Sequence, residues 1–150
     1  MRADVFDAKK RSAVMRAVKS SNTAPELAVR AAVCALGYGR RYRLNGAHLP
    51  GKPDLVFTAL GKVVFVHGCF WHGHDCKRGA RQPKDNAAYW RAKIARNRAR
   101  DAASLRALRT NDWSALVVWE CETRDAGALA AKLKRFLDRA PPSPARPKRR

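Results

Sequence analysis

Acidic residues are scarce in this sequence. Its 150 residues contain 12 Asp and Glu against 32 Lys and Arg, so the formal net charge at pH 7 is +20. A compact chain with this excess repels itself, and binding to a polyanion offsets the repulsion. The last ten residues hold four of the basic side chains, so most of the excess belongs to the rest of the chain. We therefore expect the folded body to face a nucleic acid.

Long apolar runs are missing too. The longest are Ala31–Leu36 and Ala115–Trp119, whereas a membrane-spanning helix needs about 20 apolar residues. Charged residues precede any apolar stretch at the start of the chain, so no signal peptide is expected. Of only four cysteines, Cys69 and Cys76 lie among histidines, which is typical of metal binding in a reducing compartment. These absences predict a cytoplasmic protein with no membrane partner.

Hydrophobic periodicity and turn residues indicate mixed secondary structure. Thr23 to Glu26 has the form of a capping box with proline in the first turn, and it predicts a helix that ends at Gly37. Two β-branched runs, residues 53–57 and 62–67, are separated by a short turn and predict a hairpin. The other predicted elements are helices over residues 8–19, 86–108 and 128–137, a weak edge strand over 40–44 and a buried strand over 113–120.

This order of elements predicts an α/β fold, a three-layer sandwich with a central mixed sheet flanked by helices. One domain is expected over residues 1–140. A disordered tail rich in Pro and Arg is expected at residues 141–150, because that composition cannot form a core. We also expect Cys34, Trp113 and Trp119 to lie in the core, the cysteine on the apolar face of its helix and both tryptophans in the last strand.

A cluster of cysteine and histidine follows the predicted hairpin. Cys69, His74 and Cys76 lie within eight residues of one another, and Cys121 can join them if its strand lies beside residues 62–67. Thiolate and imidazole ligands in a Cys₃His set are typical of structural zinc. Spacing alone leaves open whether His72 takes the place of His74. The alternative is a set of unlinked thiols and solvent-facing histidines.

Acidic side chains near the hairpin form a second candidate site. Asp54 begins one strand and His67 ends the next, so antiparallel pairing brings both to the same end of the sheet. Glu26, in the first turn of a helix, is a candidate second carboxylate. Carboxylate oxygens suit Mg²⁺, which activates water and stabilises charge in phosphodiester cleavage. The alternative roles are structural: Glu26 completes the capping box, and Asp54 caps a turn.

Aromatic residues stand beside these candidate sites. Phe70 and Trp71 lie in the loop that carries Cys69, His74 and Cys76, called here the metal loop, where two large apolar rings are difficult to bury. Exposed rings near basic residues suit stacking on bases or wedging between base pairs, and packing onto the metal loop is the alternative. Tyr89 and Trp90 begin the long basic helix and are open to either interpretation. The basic residues of that helix are predicted to contact phosphates: Arg91, Lys93, Arg96, Arg98 and Arg100.

Several motifs, taken together, resemble a known family. They are Met15-Arg16-Ala17, Leu49-Pro50-Gly51-Lys52-Pro53-Asp54, Val66-His67-Gly68-Cys69-Phe70-Trp71-His72, His74, Cys76 and Val118-Trp119-Glu120-Cys121. In this order, over about residues 2–138, they resemble the very short patch repair (Vsr) endonucleases, which are similar in fold to type II restriction endonucleases. The resemblance implies an enzyme that uses Mg²⁺ and carries a structural zinc. It implies nicking of one DNA strand 5′ of the thymine in T·G mismatches that arise from deamination of 5-methylcytosine.

The resemblance also implies roles for the catalytic residues. Asp54 would hold Mg²⁺ together with the backbone carbonyl of Val66, a position that is often Thr in the family. His72 would be the general base that activates water, oriented by Asp101. His67 would lie near the scissile phosphate, and Glu26 would be an outer acid.

A further set of roles concerns the metal loop and the DNA. Zinc would be bound by Cys69, His74, Cys76 and Cys121, which selects His74 over His72. Phe70, Trp71 and Trp90 would wedge into the major-groove side of the mismatch, with Met15 entering from the minor groove.

Two other functions stay open at this point. One is a non-catalytic, zinc-stapled protein that binds mismatched or distorted DNA, and the other is a restriction enzyme that cuts both strands of matched DNA. The expected partner is double-stranded DNA with a T·G mismatch, and mismatch-repair proteins are further candidate partners. We expect a monomer associated with the nucleoid, because one site that wedges and nicks needs no second copy.

Overall fold

The computed structural model describes residues 23–81 and 83–140. The predicted helix over residues 8–19, including Met15, and the predicted tail at residues 141–150 lie outside these ranges. Within the described ranges, four strands and three α-helices follow one another. Their bounds in chain order are Ala24–Ala35 for α1, Arg43–Leu44 for β1, Leu55–Phe57 for β2, Lys62–His67 for β3, Ala87–Thr110 for α2, Ser114–Trp119 for β4 and Ala126–Asp138 for α3.

The strands form one mixed sheet in the order β1-β2-β3-β4. β1 and β3 each pair antiparallel with β2, which confirms the predicted hairpin and edge strand. β4 pairs parallel to β3, from Lys62 opposite Ser114 to His67 opposite Trp119, and α2 makes the crossover between them. Asp54, just before β2, therefore lies at the same end of the sheet as the last residues of β3 and β4.

Helices cover both faces of the sheet. On one face, α1 and α3 pack against the strands through a core that includes Val29, Phe57 and Leu133. On the other face, Leu108 of α2 packs with Phe65 and its neighbours. Each such side chain contributes about 1.5–3 kcal/mol when fully buried. The predicted three-layer α/β fold is confirmed.

Side-chain caps explain where two of the three described α-helices, α1 and α3, begin. The Thr23 hydroxyl accepts a hydrogen bond from the Glu26 N–H at 3.4 Å, with Pro25 in the first turn of α1, as the sequence predicts. α1 ends at Ala35, two residues before Gly37, whose φ of 91° is in the left-handed region. Asp125 caps α3 by accepting from the Ala128 N–H at 3.0 Å.

A buried lysine joins the hairpin to the last helix, and nothing in the sequence pattern predicts it. Lys62 is 2% exposed, and its ammonium donates hydrogen bonds to three carbonyl oxygens at the C-terminal end of α3. They belong to Phe136 at 2.7 Å, Leu137 at 2.9 Å and Arg139 at 2.5 Å. Unsatisfied carbonyls at a helix end need such partners, and a cation there also suits the helix dipole.

Two expectations about the core are wrong. Cys34 is exposed, because the buried face of α1 is made by Glu26, Val29 and Val33. Trp119 is half-buried, and the strand predicted to be buried is for the most part only partly covered, because β4 lies at the edge of the sheet. Trp113 packs, partly buried, against the core on the α2 side of the sheet. Among the described residues, no helix is long and apolar enough to cross a membrane.

Candidate active site and metal cluster

Asp54 is held at the start of β2 by hydrogen bonds to β3. Its backbone N–H donates to the Val64 carbonyl at 3.1 Å, and its Oδ2 accepts from the Val66 N–H at 2.6 Å. Burial raises the pKa of the carboxyl to about 6, and the nearby Glu26 adds to the rise. The Val66 N–H and the His72 ring oppose it. A divalent cation prefers oxygen ligands, and its positive charge would stabilise the ionised form of this buried carboxylate.

Glu26 contributes charge to the same place. Its residue is 4% exposed in the first turn of α1, and its charge acts on Asp54. The backbone N–H of Glu26 makes the contact with the Thr23 cap. This contact is the Thr23 half of the predicted capping box, and it does not use the Glu26 carboxylate, whose charge acts on Asp54.

Two histidines and an aspartate form a cluster of their own, from which the His72 ring acts on Asp54. His67 ends β3 and is 7% exposed, and its ring stacks on that of His72 with a centroid separation of 3.8 Å and an angle of 4°. The Nδ1 atom of His72 is 2.6 Å from Oδ2 of Asp101 on α2. Burial, together with His72, lowers the pKa of His67 to about 4. If Asp101 accepts the Nδ1 proton, Nε2 of His72 is left as the free base.

A second cluster contains the cysteines. Ligand atoms of Cys69, His74, Cys76 and Cys121 lie within 4.8 Å of one another, so the set could hold a metal ion. The parallel pairing of β3 with β4 explains why Cys69 and Cys121 meet, since each follows its strand by two residues. The Cys121 N–H donates to the Cys69 sulfur at 3.3 Å. The ring of Trp119 stacks on His74 with a centroid separation of 4.2 Å. His74 thus lies with the cysteines, and His72 lies with Asp101.

The thiols of this cluster differ in acidity. Burial raises the pKa of Cys69 to about 12, whereas the Gly79 N–H and His74 lower the pKa of Cys76 to about 6. Metals are bound by thiolates, and a bound cation ionises a buried thiol that would otherwise stay protonated. The donor set therefore fits a thiophilic divalent cation such as zinc.

Three aromatic rings gather at the edge of this loop. The centroids of Phe70, Trp71 and Trp90 lie 5.2 to 5.7 Å apart, so the loop and the first turn of α2 share one aromatic cluster. The Lys93 ammonium lies over both indoles, at 5.4 and 5.6 Å from their centroids. Next to Trp90, Tyr89 is 46% exposed. The rings pack on one another, remain partly accessible and sit beside a cation.

Sequence reasoning missed Asn97, which anchors the loop. Its side-chain NH₂ donates to the Trp71 carbonyl at 2.8 Å. Trp90, Lys93, Asn97 and Asp101 follow the helical i, i+3, i+7, i+11 spacing, and all four contact the aromatic or histidine cluster. That spacing is the signal that could have found Asn97.

The sequence is similar to known DNA endonucleases. A family model described as DNA mismatch endonuclease Vsr matches residues 3–78, half of the chain. The type II nicking enzyme V.XorIIP of Xanthomonas oryzae pv. oryzae is 47% identical over 135 residues, which cover 90% of this chain and 97% of that protein. The chain belongs to the Vsr family. The DNA mismatch endonuclease Vsr of Escherichia coli K12 is 40% identical over 122 residues, 81% of this chain and 76% of that protein.

A third Vsr relative extends the similarity. The type II nicking enzyme V.NmeAIP of Neisseria meningitidis serogroup A is 40% identical over 134 residues, 89% of this chain and 94% of that protein. The resemblance stated from the motifs is confirmed, and the chain is a DNA endonuclease with the restriction-endonuclease-like α/β fold of the Vsr family. Such an endonuclease acts on DNA and is expected to need a divalent metal.

Proposed function

We propose that this Vsr endonuclease nicks one strand of duplex DNA on the 5′ side of the thymine in T·G mismatches left by 5-methylcytosine deamination. One observation carries the proposal. One end of the sheet carries three features: the Asp54 carboxylate, the His72 imidazole held by Asp101, and the aromatic cluster beside Lys93. Chemistry and recognition can therefore act on the same nucleotide step.

Asp54 and the Val66 carbonyl would hold Mg²⁺, with Glu26 adding negative charge from α1. When bound, Mg²⁺ stabilises negative charge on the scissile phosphate and lowers the pKa of water. Without the cation, the charge of Glu26 helps to raise the pKa of the buried Asp54 carboxyl, so binding of the cation also relieves the repulsion felt by Asp54.

His72 would take the proton of the attacking water. Asp101 orients the ring through the 2.6 Å contact at Nδ1 and stabilises the imidazolium that forms. The His67 ring stacks on one face of the His72 ring and fixes the plane of that ring. Because its pKa is low, His67 is neutral at pH 7 and can donate one N–H to a phosphate oxygen.

The aromatic cluster would recognise the mismatch by deformation. Phe70, Trp71 and Trp90 would insert beside the T·G pair, where the cost of unstacking is a few kcal/mol and is lowest at a weakened pair. Lys93, over both indoles, would contact a phosphate or a base edge. Met15, predicted to enter from the minor groove, belongs to the part of the chain outside the described residues.

Zinc on Cys69, His74, Cys76 and Cys121 would have a structural role. The loop that carries Cys69, His74 and Cys76 also carries the aromatic wedge and His72. A metal that joins this loop to the ends of β3 and β4 therefore positions the wedge and the base together. We expect the enzyme to act as a monomer in the cytoplasm, on the nucleoid, and mismatch-repair proteins are candidate partners.

A strand-specific nicking assay tests this function. Duplexes with one T·G pair or the matched T·A pair, labelled on either strand, are incubated with the enzyme in Mg²⁺ or in EDTA. We expect one nick, in the thymine strand, only with the mismatch and only with Mg²⁺. Cleavage of both strands of the matched duplex would favour a restriction enzyme. Mismatch binding without any nick, indistinguishable from Asp54→Asn, would favour a non-catalytic binder.

A further inference from the structure

We propose that His67, His72 and Asp101 form a second metal site, selective for a first-row transition-metal cation such as Zn²⁺, Co²⁺ or Ni²⁺, and that its occupancy inhibits nicking. The inhibition rests on the proposed role of His72 as the base. The binding does not, because it follows from the donor atoms alone.

The three side chains converge. One ligand atom from each of His67, His72 and Asp101 lies within 4.8 Å of the other two. Two imidazoles and a carboxylate are a donor set that borderline transition metals favour, whereas Mg²⁺ prefers oxygen ligands. The site thus differs in metal preference from the neighbouring carboxylate Asp54, and it shares no ligand with the cysteine cluster.

His67 gives an independent reason to expect a ligand. The residue is 7% exposed, and its Nδ1 atom is buried with no hydrogen-bond partner among the described residues. Buried polar nitrogens are nearly always satisfied, so such an atom calls for an explanation. A cation bound in the plane of the His67 ring and held also by His72 and Asp101 would supply the missing partner.

Binding requires a small change at the more exposed ring. The imidazoles are nearly parallel, at 4°, and their lone pairs lie in the ring planes, so the lone pairs converge only when one ring turns. His72 and Asp101 are each 26% exposed, which leaves them room to move and leaves a cation a path from solvent. A ligand atom of each residue already lies within 4.8 Å of the others, compared with roughly 3.4 Å between two nitrogens bound to one tetrahedral ion at about 2.0–2.1 Å, so the change needed is small.

Occupancy would remove the base from catalysis. A cation bound between Nδ1 of His72 and Asp101 replaces the proton that they share at 2.6 Å, and the one proton of the neutral ring then lies on Nε2. Nε2 therefore has no lone pair left to accept the proton of the attacking water. Mg²⁺ competes poorly for nitrogen ligands. Inhibition by a transition metal should therefore persist when Mg²⁺ is raised.

Cobalt titration tests the binding. Protein whose cysteine cluster is already filled with Zn²⁺ is titrated with Co²⁺, followed by absorption and by metal content. We expect one further equivalent, with weak d–d bands and without thiolate charge-transfer bands, in the wild type and in Asp54→Asn. His67→Phe keeps a ring against His72 but removes both nitrogens, and it should weaken this binding about 10- to 100-fold.

Three results would overturn the site: no further equivalent, unchanged binding in His67→Phe, or loss of the equivalent in Asp54→Asn. A nicking assay with added Ni²⁺ tests the inhibition. We expect a loss of rate that raising Mg²⁺ does not relieve, and relief by Mg²⁺ would place the inhibitor at Asp54 and overturn the inhibitory role. If the wild type fails to nick in Mg²⁺ alone, the proposed function is wrong, while the cobalt titration still decides the site.

Discussion

At the residue scale, the site depends on a few side chains whose surroundings alter their ordinary chemistry. Burial makes Asp54 difficult to ionise, and it keeps His67 neutral beside His72. The motifs indicate which residue types are present, but not these shifts, because each shift arises from neighbours on other elements. Glu26, for example, acts on the pKa of Asp54 from α1, and Asp101 acts on that of His67 from α2.

The raised pKa of Asp54 predicts how nicking depends on pH. As the pH falls through about 6, Asp54 takes up a proton and loses the charge that Mg²⁺ needs. At limiting Mg²⁺, the single-turnover rate should fall about tenfold per pH unit below this value. Saturating Mg²⁺ favours the ionised form, so the acid limb should move to lower pH. Rate profiles at two Mg²⁺ concentrations measure this, and a Mg²⁺-independent limb would contradict it.

Trp71 provides a prediction about recognition. Trp71→Ala should reduce the preference for T·G over T·A duplexes by about 10- to 100-fold, since stacking of a base on an aromatic ring is worth about 1–3 kcal/mol. The bound metal at the cysteines should remain, because Trp71 is not a ligand. Competition binding at fixed salt measures the preference, and Tyr89→Ala is the matched control. An unchanged preference would rule out the wedge.

At the element scale, the sequence predicted what local patterns determine. β-branched runs, turn residues and Thr23 predict the hairpin, the long helix and the capped α1. The parallel pairing of β4 with β3, which Cys121 needs in order to join the cluster, has no such signal, because pairing partners distant in sequence leave no local pattern. The same is true of Lys62, whose partners lie more than 70 residues away. In the sequence, Lys62 looks like an ordinary exposed lysine at the start of a strand.

The Lys62 contact predicts a large effect on stability. Lys62→Met keeps the length of the side chain but leaves three carbonyl oxygens at the end of α3 without their donor. We expect a loss of about 2–4 kcal/mol in the free energy of unfolding, because these groups are largely buried. Urea denaturation measures it. Lys134→Met is the control, since Lys134 is exposed and its ion pair with Asp138 is also exposed, and its effect should be small.

The metal loop gives a prediction that separates the cysteines. Purified protein should hold about one zinc per chain, as a four-ligand site implies. Cys121→Ser should lose the metal, melt at a lower temperature and lose nicking, because the loop carries Trp71 and His72. Cys34→Ser should keep all three properties, since Cys34 is exposed and outside the cluster. Metal analysis and thermal melting measure this, and a zinc-free, equally stable wild type would contradict it.

At the scale of the whole molecule, the two ends of the sheet have different roles. One end carries Asp54, both histidines and the metal loop, while at the other end Lys62 ties β3 to α3. The long helix α2 runs between them, with Trp90 near its start and Leu108 in the core. Rigid packing at one end therefore supports positioning at the other, in agreement with a site that needs accurate placement.

The charge of the whole chain predicts how binding depends on salt. Affinity should fall with a log–log slope of about −0.9 for each phosphate neutralised. Residues 141–150 carry four of the basic side chains, so deleting them should reduce the slope by up to about 3.6 and weaken binding to any duplex. The ratio of T·G to T·A affinity should stay the same, because phosphate contacts position a protein without reading sequence. Salt titrations on both duplexes measure slope and ratio together.

A full-length variant with Arg146, Lys148, Arg149 and Arg150 changed to Gln controls for chain length, and a ratio that falls in both variants would make these residues part of the recognition site.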